Sequence, residues 1–110
     1  KQKPNPNKIV ICRILFYSFQ PISRARFFKR RAWGQEMFFA DIEIRFGDID
    51  QSGLANGTIL TANPLIAYVP SPGNMNGFDE IVLRPTLHAR YLTLQRMVWG
   101  MFTLDEIYVF

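Results

Sequence analysis

The chain is poor in the residues on which most catalytic and disulfide-bonded domains depend. It holds one cysteine, Cys12, and one histidine, His88, in 110 residues. A single cysteine excludes an internal disulfide framework and any cysteine zinc cluster. Cys12 sits inside the apolar run Ile9–Tyr17, where a free cysteine acts as a small buried hydrophobe. His88 lies between Leu87 and Ala89, just before a predicted strand, and no spacing pairs it with Cys12 as a nucleophilic dyad. No G-x-S-x-G, P-loop, H-E-x-x-H or dinucleotide fingerprint occurs. Asp48, Asp50, Asp79 and Glu80 stand near turns, without the spacing of a calcium loop or the pattern of an acid/base pair, and read as solvated carboxylates. The chain therefore reads as non-enzymatic. No apolar run approaches the ~20 residues of a membrane-spanning helix, and neither an initiator Met nor a signal-peptide pattern opens the chain. The opening Lys-Gln-Lys-Pro-Asn-Pro reads as an excerpt from a longer product, with residues 1–8 as a linker or leading segment.

What is present is apolar and aromatic. Hydrophobic residues make up 48% of the chain and aromatics 15%, ten of them Phe, a globular rather than a disordered composition. The length allows a single domain close to the ~100 residues of a small β-sandwich. The net charge of +4 is unevenly spread: residues 1–45 carry ten Lys/Arg against Glu36, Asp41 and Glu43, whereas residues 46–110 carry three Arg against six acids. A basic half joined to an acidic half predicts one face that attracts anions.

Periodicity favours strands throughout. In Phe39–Phe46 the apolar Ile42, Ile44 and Phe46 alternate with Asp41, Glu43 and Arg45, the period-two pattern of a half-buried strand. Ile9–Tyr17 reads as a more central strand, and Leu65–Val69 as a short one closed by the turn Pro70-Ser-Pro-Gly73. Phe78–Leu83, Tyr91–Arg96 and Phe102–Phe110 complete six short strands, and Arg26–Trp33 could hold a helical turn. Short strands separated by Gly and Pro predict an all-β sandwich or barrel.

Four segments, in order, carry a resemblance. Asp41-Ile-Glu-Ile-Arg-Phe-Gly47-Asp48, Asn63-Pro64-Leu65-Ile66, Leu83-Arg84-Pro85 with Ala89-Arg90-Tyr91-Leu92, and Phe102–Phe110 resemble the A-x-I-R-V-G-D/N, N-P-x-C, F-x-C-x-P with G-R-Y-V, and L-T-L-C-E-V-E-V-Y segments of F-type lectins (fucolectins). Discoidin and coagulation-factor C-type domains are broader relatives. The resemblance covers about Ile42–Phe110 and implies a galactose-binding-like jelly-roll β-sandwich whose opening strands are missing, so that a partner chain could cover the exposed strand edges. Ile66 and Leu83 stand where the family has two bonded cysteines, which implies that they meet across the core as a hydrophobic substitute for the cross-link. Asp105 stands where the family has a third cysteine. Glu106 matches a family glutamate that helps hold calcium, which implies a possible calcium ligand, although its loop partners do not precede Lys1. The family's paired-arginine motif for sugar is not found after Ile9–Tyr17.

In its place stands the basic–aromatic stretch Ser23–Trp33, with Arg24, Arg26, Lys29, Arg30 and Arg31 among Phe27, Phe28 and Trp33. Three readings are open: a glycan-binding loop, a nucleic-acid patch, and a solvated or partner-covered edge with Phe27 and Phe28 tucked into the core. The nucleic-acid reading has no fold signature beside the charge. Under the first reading Arg24, Arg26, Arg30 and Trp33 bind the ligand. Asn56-Gly57-Thr58 fits an N-glycosylation sequon and equally an Asn-Gly turn. The expectation is thus a recognition module for a fucose-type or anionic glycan, or a glycoprotein. The alternative is an adhesive protein-interaction module that has lost sugar binding. The family and the sequon favour an extracellular setting, against which the lost disulfides weigh.

Overall fold

The computed structural model describes residues 11–31, 34–51, 53, 60–98, 100, 102 and 104–110, with side chains from residue 21 onward. Five strands, β1 (Ile11–Lys29), β2 (Ile42–Gly47), β3 (Leu65–Val69), β4 (Phe78–Arg96) and β5 (Leu104–Val109), form one sheet in the order β3-β2-β4-β1-β5. Every pairing is antiparallel. Among the described residues the only helical segment is a short 3-10 turn, Gln35–Phe38. The fold is all-β, as the alternating sequence predicts.

Four sequence expectations change. The runs Phe78–Leu83 and Tyr91–Arg96 belong to one 19-residue strand, β4. Residues 11–17 of the predicted strand Ile9–Tyr17 open an equally long β1, which continues through Lys29; Ile9 and Val10 lie outside the described residues. The described part of Arg26–Trp33 is therefore strand as far as Lys29, and the helical turn falls later, at Gln35–Phe38. β2 begins at Ile42 rather than Phe39 because Asp41 takes a left-handed backbone, φ 56°, which an aspartate tolerates and which turns the chain into the strand.

Two irregularities let the long strands bend. Between the pairs Leu15↔Tyr91 and Gln20↔Ala89, residues 16–19 of β1 oppose Arg90 alone. Between Ile22↔Leu87 and Arg24↔Val82, residues 83–86 of β4 oppose Ser23 alone. Such excursions break the ladder and turn a strand. They also explain Pro85, which has no N–H to donate and would otherwise interrupt the ladder with β1. The last part of β4 pairs with β2, which in turn pairs with β3, whereas the last part of β1 pairs with β5.

One core serves both halves. Ile42, Ile44 and Phe46 point inward from β2 as the alternation requires, joined by Ile22, Ala25 and Phe27 from β1 and Leu83, Ala89, Leu92 and Leu94 from β4. Phe39 ties them together, stacking on Phe27 with ring centres 5.7 Å apart and meeting Phe102 edge-on at 5.8 Å. Leu83 is buried in this cluster and Ile66 packs against it. Two buried polar side chains, Gln95 and Lys29, find partners on neighbouring segments. Gln95 Nε2 donates to the Leu60 carbonyl and its Oε1 accepts from the Leu60 N–H. Lys29 Nζ donates to the Asn74 carbonyl and Oδ1.

Candidate functional site

The outer face of β4–β1–β5 gathers the most chemistry. From Arg24 to Lys29 residues alternate strictly: Ala25, Phe27 and Lys29 are buried while Arg24, Arg26 and Phe28 face outward. The same parity holds for Phe78, Glu80 and Val82 on β4 and for Glu106 and Tyr108 on β5, with Phe110 just beyond. Register then sets these residues in three rows. Phe28 stands between Phe78 and Glu106, and Arg26 between Glu80 and Tyr108. Arg24 stands between Val82 and Phe110, its backbone exchanging hydrogen bonds with Phe110.

Neighbouring side chains in this array engage one another. The Phe28 ring centre lies 5.1 Å from that of Phe78 and 5.0 Å from that of Tyr108. The Arg24 guanidinium sits 4.7 Å from the Phe110 ring centre, and that of Arg26 lies 5.1 Å from Phe78 and 5.4 Å from Phe110. Arg26 Nε donates to the Glu80 carboxylate, which is 3.9 Å from Arg24 Nε. Each such contact is worth only about 0.5–1 kcal/mol at an exposed site; together they hold the side chains in one geometry. The Glu106 carboxylate beside the Tyr108 phenol holds the phenol's pKa above the usual value. The surface remains apolar in large part: Phe78, Val82, Tyr108 and Phe110 are each 40–51% exposed.

The array alters the charge reading. Arg24 and Arg26 come from the basic half of the chain and Glu80 and Glu106 from the acidic half, so strand pairing puts two cations and two anions on one face. The face is balanced, not basic. No family model, curated protein or solved structure matches the chain.

Of the residues predicted to bind ligand, Arg24 and Arg26 are brought together on a strand face, not on a loop. Arg30 is exposed one residue beyond β1 and outside the array. Trp33 and Asn56 lie outside the described residues. Phe27 enters the core, but Phe28 does not follow it. Glu106 faces outward on β5 beside Phe28 and Tyr108. Among the described residues no three His, Cys, Asp or Glu side chains cluster. The sequence alone does not single out Phe78, Val82, Tyr108 and Phe110, and it reads Glu80 only as a solvated turn carboxylate. Their signal was present as alternation within each strand, but the register that aligns the strands was not.

A cleft of about 390 Å³ borders the array where β4 makes its four-residue excursion, lined by Ser23, Arg24, Leu83, Arg84, Pro85 and Thr86 among others.

Proposed function

We propose that the chain is a non-enzymatic recognition module of galactose-binding-like jelly-roll type, and that it binds carbohydrate, free or on a glycoprotein. Its ligand surface is the outer face of β4–β1–β5 rather than a loop cluster at one end. The observation that carries this reading is the ordered array of Arg24, Arg26 and Phe28 flanked by Phe78, Glu80, Tyr108 and Phe110. Sugars present apolar C–H faces and hydroxyl groups together. Exposed rings offer flat apolar surface for the first, and a held Arg–Glu pair offers donors and acceptors for the second. The balanced charge favours a neutral sugar surface over the phosphates of nucleic acid, whose binding rests on excess positive charge. Two packing relations support the jelly-roll part: Gly47 lies against Asn63 of the Asn-Pro turn, and Ile66 and Leu83 belong to one apolar layer. An extracellular setting, where glycans are displayed, follows from the same reading.

A glycan array that includes fucose and sulfated sugars tests it. Binding is expected, and Phe78→Ala is expected to weaken it at least roughly tenfold, equivalent to about 1.4 kcal/mol. An array silent throughout overturns the carbohydrate reading. One observation favours the second reading, an adhesive protein-interaction module: Tyr, Phe and Arg are the residues enriched in protein interfaces, and here they lie in adjoining rows next to an edge strand, β5.

A further inference from the structure

We propose that the cleft at the β4 excursion is a subsite for an oxyanion, a carboxylate or sulfate carried by a sugar, held by Arg24 and Arg84. The sugar part rests on the function proposed above; the oxyanion site rests on the cleft alone. The excursion of residues 83–86 opposite Ser23 pulls the backbone out of the ladder and opens the cleft between them. Two guanidinium groups line it, and among the described residues no carboxylate does. Glu80 spends its tight hydrogen bond on Arg26 and reaches Arg24 only at 3.9 Å. None of the ion pairs among the described residues involves Arg84. The array is balanced in charge, so the cleft beside it is where positive charge is left over. Ser23 and Thr86 add hydroxyl groups at the rim, and Val82, Leu83 and Pro85 supply an apolar wall. Planar guanidinium forks match carboxylate and sulfate oxygens, and such charge-assisted hydrogen bonds are the strong ones.

The site adjoins the array through shared residues, Arg24 and Val82. A sugar ring resting on Phe110 could therefore carry its acidic substituent into the cleft. This arrangement makes the cleft a selector for acidic over neutral sugars.

The test is an NMR titration of the whole chain with sodium sulfate at constant ionic strength, paired with array binding of a uronic acid and its neutral counterpart. Sulfate is expected to give saturable shifts at the amides of Ser23, Arg24, Arg84 and Thr86, abolished by Arg84→Gln. Arg84 is exposed, so this variant is expected to fold. The acidic sugar is expected to bind roughly tenfold tighter than the neutral one, a preference that falls to unity in Arg84→Gln with neutral binding unchanged. Shifts that do not saturate, or that appear equally near Arg30 and Arg90 and persist in Arg84→Gln, overturn the site. Neutral-sugar binding without sulfate binding overturns the cleft alone. Saturable sulfate binding with no sugar binding sustains the cleft and overturns the carbohydrate reading.

Discussion

The side-chain amide of Asn63 fills the space that a β-carbon on Gly47 would need. Asn63 is buried, and its amide bridges Ile49 twice, accepting from the Ile49 N–H at 2.9 Å and donating to the Ile49 carbonyl at 3.0 Å. The end of β2 and the turn before β3 are therefore locked by a missing side chain on one and a short amide on the other. Gly47→Ala is expected to displace Asn63 and forfeit both bonds, costing about 1–3 kcal/mol. Urea denaturation checks the cost. Adding Asn63→Ala to Gly47→Ala should cost far less than the same change in the wild type, because the two residues share one interaction.

Phe27 and Phe28 are adjacent and should behave oppositely. Phe27 is fully buried against Phe39, so Phe27→Ala is expected to cost about 3–5 kcal/mol in urea denaturation. Phe28 faces outward between Phe78 and Tyr108, where ring pairs contribute about 0.5–1.5 kcal/mol each. Phe28→Ala should leave a folded protein of slightly lower stability and impair ligand binding. Equal destabilisation by both changes would contradict the alternation of β1.

Gln95 is the buried clasp of the β2–β4 surface. Its amide serves both backbone groups of Leu60 and donates to Glu43 Oε1 at 3.1 Å, and Glu43 in turn accepts from Arg45. Gln95→Leu retains the volume but leaves the Leu60 N–H and carbonyl without their partner. A loss of about 2–4 kcal/mol is expected, since each buried orphan group costs about 1–3 kcal/mol. Amide hydrogen exchange at Leu60 should accelerate with it.

Stability should respond to alkaline pH through Tyr68. Its hydroxyl donates to Asp41 Oδ1 at 3.2 Å, and its pKa is raised above 10.0 by burial first, then by the Asp41 charge and by that hydrogen bond. A raised folded-state pKa means the neutral phenol is favoured in the native state. The contribution is complete below the unfolded value of 10.0 and is lost as pH rises through the folded one. The stability difference between wild type and Tyr68→Phe, measured by urea denaturation, should shrink as the pH passes 10.0 upward. A difference constant across that range would mean that Asp41 and Tyr68 are not coupled.

The alternation of Ile42, Ile44 and Phe46 against Glu43 and Arg45 was legible without coordinates, and so were Leu65–Val69 and the all-β class. A period of two is a local property, set by the pleat of a single strand. Arg24–Lys29 carries the same period, but its five charged and aromatic side chains masked it, because charge runs are more often found on loops and solvated faces. The continuity of β4 was hidden by Pro85, which signals a break until the excursion opposite Ser23 explains it.

Which strands pair, and in which register, is set by long-range backbone hydrogen bonds that no local pattern encodes. That register placed Arg26 against Glu80 and Arg24 against Phe110, and turned a basic half and an acidic half into one balanced aromatic face. By itself the sequence determined the element type, the inward set of β2 and the absence of an enzymatic fingerprint. Only the tertiary structure decided where the charges meet, because opposite charges far apart in the chain become neighbours only when β1 is laid between β4 and β5.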